Sequence, residues 1–543
     1  MKDIFDKALL LHQNNKLEEA KISYEEILKI NPKHSNTLSL YGLILSDLNQ
    51  KERALLYLKK AIKIQPKSVY YYNLGVGLKK CNRTEDAIKV FEQAIILKPD
   101  NYNAYNNLGL IFNEQGKLNE AISMFDEAIK INPNFSETYY NLGIVYTFLN
   151  QNDKAKKMYE KTISLNPNDL RAYNNLSLIL GKENQIEEAI KVCEKILSID
   201  SNYLKAYLNL YSFYLKQEKL EEALKIFEKI VKLGSEIAEV YFNQSQILLK
   251  LGKLEEGFEL YEYRKKLEDS VERNFTQPLW LGKESLKGKT ILIHSEQGYG
   301  DTLQFYRYIS MLVKLNTKVI FEVEKPLLSL LKEIGVECVI KGRKLPFFDY
   351  HCPLLSLPYA FRTSLETIPP IFSLKINQKK IDYWEKKFEN ITKPKIALAW
   401  SGNPTHKNDH NRSLSLEKLV NFLPKEFEYI SLQKEIRDED KSALENSNIS
   451  FFGNELKDFE DTAALIENVD LVVSVDTSVA HLAGTLGKKT FILLPFSSDW
   501  RWMLNTDDTP WYPSVKLFRQ NATCDWDSVL NNIRKDISNF FKP

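Results

Sequence analysis

Small residues return every 34 positions through the first half of this chain, and that period limits its fold more than any other feature. Counted from Met1, position 8 of successive units reads Ala8, Gly42, Gly75, Gly109, Gly143, Ser177, Tyr211, Ser245. Position 20 reads Ala20, Ala54, Ala87, Ala121, Ala155, Ala189, Ala223, Gly257. Proline stands at Pro32, Pro66, Pro99, Pro133 and Pro167, after which Ser201 and Ser235 take its place. Each unit therefore reads as two helices that cross closely where the small residues meet, with proline ending the second helix. Mostly aromatic residues (Tyr24, Phe91, Phe125, Tyr159, Phe227, Tyr261) fill the space between adjacent hairpins. A single hairpin cannot bury its apolar face alone, so eight of them, residues 1–271, are expected to stack into an all-α solenoid.

The period and the pattern are those of the tetratricopeptide repeat. A stacked array of this kind is normally a binding surface. Position 6 carries asparagine in six consecutive units: Asn73, Asn107, Asn141, Asn175, Asn209 and Asn243. Asparagine costs a helix roughly 0.5 kcal/mol against alanine. A line of primary amides, each with two donors and two acceptor lone pairs, suits the backbone of an extended polypeptide whatever its side chains. The alternative is that each amide bonds to the neighbouring helix of the array.

Composition narrows the classes. A chain of 543 residues is too long for one core. The net charge of +2 gives no basic excess for nucleic acid. No apolar run approaches the roughly 18 residues of a membrane span. The N-terminus, an amphipathic helix from its first residues, has no secretory h-region or cleavage site. Cys81, Cys193, Cys338, Cys352 and Cys524 are scattered, without C-x-x-C spacing, as expected of reduced thiols in the cytoplasm.

After a connector at 272–288 the pattern changes to short apolar runs alternating with amphipathic helices. Strands are predicted at 290–294, 318–323, 395–400, 429–432, 470–475 and 490–494. Helices are predicted at 301–315, 325–334, 416–423, 459–467, 478–486 and 525–540. Alternation of this kind gives an α/β fold of mostly parallel sheet. The polar stretch 377–393 divides it into two lobes, 289–385 and 386–543. Ligands of open α/β sheets bind beyond the carboxyl ends of strands, so the loops leaving strands matter most.

Three such loops are unusual. Residues 295–302 are glycine-rich and lead into a helix, offering the amides of Gly298 and Gly300 and the carboxylate of Asp301; an aspartate there is also a common N-cap. Residues 401–413 begin Ser401-Gly402 and hold His406, Lys407, His410 and Arg412, cations for a diphosphate or simply a solvated loop. Residues 476–481 place Asp476, Thr477 and Ser478 at a helix start suited to an anion. His481, one turn in, is read either as part of that site or as a structural histidine. Together the loops describe a site for a doubly charged phosphate ligand.

These loops also carry a family likeness. Gly300-Asp301-Thr302-Leu303 resembles the G-D-x-L motif of the heptosyltransferase-like (family 9) glycosyltransferases, and residues 476–484 resemble their D-[TS]-x-x-x-H-x-x-[AG] motif. The segments 296–305, 400–413, 499–502 (Asp-Trp-Arg-Trp) and 510–514 resemble those of bacterial glycosyltransferases linked to tetratricopeptide repeats, a group that includes flagellin-modifying enzymes. The layout is similar to that of eukaryotic O-GlcNAc transferase, whose repeats also carry an asparagine ladder. The resemblance implies a GT-B fold of two Rossmann-like lobes and inverting transfer without a bound metal or other cofactor. It implies that Asp301 is the general base and that Arg412 replaces the family's basic phosphate ligand, usually lysine. Asp476, Thr477, Ser478 and the helix of His481 would hold the nucleotide diphosphate, with Gln433 a further nucleotide contact. Ser478 stands where heptosyltransferases often have glycine, which puts the donor in question.

The resulting expectation is a cytoplasmic enzyme that moves a sugar from a nucleotide-sugar donor to a hydroxyl of an acceptor polypeptide held by the repeats. Two alternatives remain at this stage: a transferase acting on glycan or lipid-linked acceptors, with repeats that recruit partners, and a non-catalytic repeat scaffold. Nothing in the sequence points to nucleic acid.

Overall fold

The computed structural model describes residues 1–268, 273–406, 408–522 and 525–542. Lys407, Cys524 and the expected repeat boundary at 271/272 lie outside the described residues. The chain forms two compact units, Met1–Ser235 and Glu236–Pro543.

The first unit is helical throughout, from Lys2–Gln13 to Leu220–Lys232, in hairpins of the expected period. The small residues of position 8 have a physical cause. A Cβ on Gly75, Gly109 or Gly143 would come within 2.6 Å of the Phe91, Phe125 or Tyr159 ring of the same hairpin. The aromatic of position 24 thus packs on its own unit's glycine, besides reaching the next hairpin as expected. Every inner turn of this unit places one residue in the left-handed region: Asn15, Asn49, Asn82, Gly116, Asn150, Asn184 and Glu218. Asparagine and glycine tolerate that conformation and glutamate does not favour it.

The second unit begins with the eighth hairpin, Ala238–Lys250 and Leu254–Tyr261. The repeats thus run on past Ser235, where the first compact unit ends. Leu249, Leu254, Phe258 and Tyr261 are buried in one core with residues of both sheets. The apolar face of this hairpin is therefore spent on the α/β part of the chain.

Two sheets follow, both wholly parallel. The first has the order β3-β2-β1-β4, formed by β1 (Thr290–His294), β2 (Lys318–Val323), β3 (Glu337–Ile340) and β4 (Tyr350–Pro353). The second has the order β10-β9-β8-β5-β6-β7, formed by β5 (Lys395–Ala399), β6 (Glu428–Ser431), β7 (Ile449–Phe451), β8 (Leu471–Val475), β9 (Thr490–Leu494) and β10 (Val515–Arg519). All six predicted strands are present. The four that were not predicted, β3, β4, β7 and β10, are the sheet edges, where short pairing leaves little apolar run to read.

Each sheet reverses its strand order once, between β1 and β4 and between β5 and β8. Loops leaving the strands at such reversals diverge and open a crevice. The expected lobe boundary at 385/386 falls inside the helix Gln378–Lys387. That helix packs with the second lobe, Lys380 lying within 3.2 Å of Asp458, Glu460 and Asp461. The predicted helix 301–315 is three short pieces, Tyr299–Phe305, Tyr306–Tyr308 and Ile309–Val313. Among the described residues no helix is long and apolar enough to cross a membrane.

Candidate functional site

The loop leaving β1 at its strand-order reversal is residues 295–298, and it turns into the helix Tyr299–Phe305. Asp301 is not the N-cap but the third residue of this helix. Its Oδ2 accepts the Gly298 N–H at 2.9 Å, tying the turn together. The other oxygen, Oδ1, pairs with the Arg501 guanidinium. Glu296, at the start of the loop, is fixed by Arg264 from the end of the eighth hairpin. Arg264 Nη2 donates to both its oxygens, at 2.8 and 3.1 Å, and to Ser356 Oγ at 2.8 Å.

The reversal between β5 and β8 brings the other two loops together. The Ser401 hydroxyl accepts from Gln433 Nε2 at 2.9 Å, linking the ends of β5 and β6. Arg412, closing the short helix Asp409–Arg412, reaches across and donates to the Asp476 carbonyl at 3.2 Å. Gly402 is needed for that reach, since a Cβ there would lie 2.8 Å from Arg412 Nη2. Arg412 Nε lies 3.8 Å from Asp409 Oδ1, an ion pair without a hydrogen bond. Arg437 braces the loop from β6, donating to Asp409 Oδ2 at 2.6 Å and to the Gly402 carbonyl at 3.0 Å. His406 and His410 are solvent-exposed. Although its surface is mostly open, partial desolvation by the surrounding loop and then the nearby Arg412 lower the pKa of His406.

In the third loop Thr477 sits at the N-cap of Ser478–Thr485 without a side-chain cap bond. Its hydroxyl lies 3.3 Å from Ser474 Oγ instead. Desolvation and the charge of Asp499 push the half-buried Asp476 carboxyl up to about 6, against the pull of Arg412 and Arg501.

His481, expected among the donor ligands, is placed differently. It is 5% exposed, bonded through Nδ1 to Tyr512 Oη at 2.9 Å and stacked on Trp502. Its ring lies directly under Gly300, where a Cβ would be 2.7 Å from His481 Cδ2. Burial and the nearby Arg501 lower its pKa to about 3, so the ring is neutral. His481 thus supports the Asp301 loop from below.

The ladder asparagines also have partners. Asn73 donates to Ser39 at 2.9 Å, Asn107 to Tyr72 at 3.3 Å, Asn141 to Asn106 at 3.1 Å and Asn209 to Asn174 at 3.1 Å, each in the preceding repeat. Asn175 donates to Tyr159 at 3.4 Å, also in the preceding repeat. Asn243 belongs to the second unit and is half-buried. Each of these five amides of the first unit therefore commits at least one donor to the preceding repeat.

Several residues of the site had no role assigned from sequence: Arg437, Asp499, Arg501, Trp502, Tyr512 and the buried Arg307. Arg307 donates to the Trp511 carbonyl at 3.0 Å and lies over the Tyr512 ring. The segments 499–502 and 510–514 stood out as motifs, but spacing alone gave no geometry for them.

Comparison with known proteins finds matches in both halves of the chain. Tetratricopeptide repeat models match residues 4–34, 36–68, 75–113, 109–147, 136–169, 158–191 and 182–241. The model of glycosyltransferase family 9 (heptosyltransferase) matches residues 433–533. Protein FlbA of Caulobacter vibrioides is 25% identical over 299 residues, covering 48% of each chain. An N-terminal acetyltransferase A complex subunit-like protein of Schizosaccharomyces pombe is 25% identical over 99 residues, covering 18% of this chain and 14% of that one. The chain thus spans half or less of the length of these curated relatives. Among solved structures, Pseudomonas aeruginosa PilF is 21% identical with a TM-score of 0.35, covering 39% of this chain and 96% of its own. YrrB, described as a tetratricopeptide repeat protein with an unusual peptide-binding site, is 23% identical with a TM-score of 0.31, covering 34% and 97%. The chain combines multiple tetratricopeptide repeats with a family 9 glycosyltransferase domain.

Proposed function

We propose that this protein is a glycosyltransferase of GT-B type that moves a sugar from a nucleotide-sugar donor to a hydroxyl of an acceptor polypeptide, with inversion and without a metal. One observation carries the reading: the Asp301 helix that follows the first sheet packs on the helix Ser478–Thr485 of the second, with the Asp301 carboxylate paired to Arg501 of that second sheet's loops. Its partner Arg501 and its neighbours Gly300 and His481 make that juxtaposition. In this reading Asp301 takes the proton of the acceptor hydroxyl as its oxygen attacks the anomeric carbon. The bond from that carbon to the diphosphate breaks, and the diphosphate leaves with the electron pair. Arg412 and the first-turn amides of Ser478–Thr485 stabilise the charge that develops there. Ser401 and Gln433, already joined, line the nucleotide side. The repeat architecture is what supports a polypeptide acceptor, because stacked hairpins offer successive helix faces to an extended chain.

The test is a binding screen of UDP-, GDP-, ADP- and CMP-sugars by thermal shift, followed by release of nucleoside diphosphate with a peptide array as acceptor. Stabilisation by one donor, lost in Arg412→Ala, is the expected result. Asp301→Asn should bind that donor normally and lose about a hundred- to ten-thousand-fold in kcat. Wild-type turnover by Asp301→Asn would remove the base assignment, and a folded protein stabilised by no donor would leave a repeat scaffold.

A further inference from the structure

We infer that Arg501 is the positioning residue of this site: a guanidinium carried by the second sheet that fixes the Asp301 carboxylate presented by the first. The inference rests on the reading of Asp301 as the base. Arg501 Nη2 pairs with Asp301 Oδ1, while Nη1 donates to Asp499 Oδ1 at 2.8 Å. The Arg501 N–H bonds the same Asp499 oxygen at 3.0 Å. With Oδ2 of Asp301 bonded to the Gly298 amide, the carboxylate is held at both oxygens by groups from different sheets. The side chains of Arg501 and Asp301 are only 10% and 14% exposed, so the pair is little screened by solvent.

The loop that carries Arg501 is braced from several sides. Arg519 on β10 bonds the Trp502 carbonyl, donates to Ser498 Oγ at 2.8 Å and donates to the Thr506 carbonyl at 3.1 Å. Trp500 is locked among Phe258, Tyr261, Phe305 and Trp511, and the Arg501 guanidinium lies 4.4 Å over its ring. Met503 closes the turn at φ 60° and ψ −169°, a combination that residues with a side chain avoid. Backbone in such a state persists only where its surroundings over-determine it, and here they aim one side chain at one carboxylate.

Both ends of the fork are committed to carboxylates, Nη2 to Asp301 and Nη1 to Asp499. Arg501 therefore acts through Asp301 and not on the diphosphate, so its loss should appear in turnover and leave donor binding alone. Lysine keeps the charge but cannot span two carboxylates.

The experiment compares wild type, Arg501→Ala, Arg501→Lys and Asp301→Asn in the full chain, using the donor selected from the UDP-, GDP-, ADP- and CMP-sugar panel. It measures kcat, donor Kd by calorimetry, and recovery of Arg501→Ala by methylguanidinium. We expect Arg501→Ala to lose about a hundredfold in kcat with unchanged donor Kd. Methylguanidinium should restore about tenfold of that loss, and Arg501→Lys should remain impaired. A loss in donor Kd with kcat retained, or a variant as active as wild type while Asp301→Asn is inactive, overturns the inference alone. An active Asp301→Asn, or a panel with no donor, overturns the base reading and this inference with it. Where Arg501→Ala does not fold, Arg501→Lys carries the same comparison of kcat against Kd.

Discussion

Asp476 shows how a single side chain acquires a property that its motif does not state. Half-buried and set beside Asp499, its carboxyl is pushed up to about 6 by desolvation and that neighbouring charge, while Arg412 and Arg501 pull the other way. The unfolded chain gives up this proton near the ordinary value of 3.8. Stability from this group is therefore greatest below that value and falls as pH rises towards about 6, after which it is level. A diphosphate favours the neutral form, so donor affinity is expected to decline as pH climbs through about 6. Calorimetric titration with UDP, GDP, ADP and CDP, each from about one pH unit below to about two above that transition, checks this. Asp476→Asn should flatten the profile, and an unchanged slope in that variant would assign the dependence to another group such as His406. His481 contributes nothing to it, since its ring stays neutral throughout that range. The motif around His481 was legible in the sequence, but its use was not. Whether a histidine faces a ligand or the underside of Gly300 depends on which helix packs against it.

At the scale of elements, the asparagine line changes meaning in the same way. Its spacing was plain from the sequence, and so was the choice between a ligand and a neighbouring helix. The structure pairs these amides with the preceding repeat, so they are part of what holds the array in register. Asn141→Ala and Asn209→Ala should each cost about 1 kcal/mol of stability. Chemical denaturation of the full chain followed by far-ultraviolet circular dichroism measures this. Unchanged stability in both variants would return the amides to a ligand role. Among the strands, the buried central ones were readable as apolar runs, whereas β7, three residues long at a sheet edge, offered no period to recognise. The break in the helix predicted at 301–315 was equally invisible, because its apolar pattern continues through the 3₁₀ turn at Tyr306–Tyr308.

For the molecule as a whole, the boundary at Ser235 makes a direct prediction. A fragment beginning at Glu236 keeps Leu249, Leu254, Phe258 and Tyr261 in the core that they share with the sheets. One beginning at residue 289, the expected start of the α/β part, loses all four. At about 2 kcal/mol for each large buried side chain, that loss approaches or exceeds the stability of an ordinary domain. It also leaves Glu296, at the start of the Asp301 loop, without Arg264. The shorter fragment should therefore lack a cooperative thermal transition that the longer one retains, as followed by near-ultraviolet circular dichroism. Equal melting of the two would show that the eighth hairpin is dispensable to this unit.

The sequence by itself determined the repeat period, the succession of parallel strands and the three loops of the site, because each is written in local spacing: small residues where helices cross, apolar runs where strands are buried, glycines and helix starts where strands end. Only the tertiary structure decided where one unit stops, which face of the eighth hairpin is spent, and that Arg501 meets Asp301 from 200 residues away. Such pairings depend on how elements fold back on one another. Two side chains brought together by the reversal of two different sheets share no period along the chain.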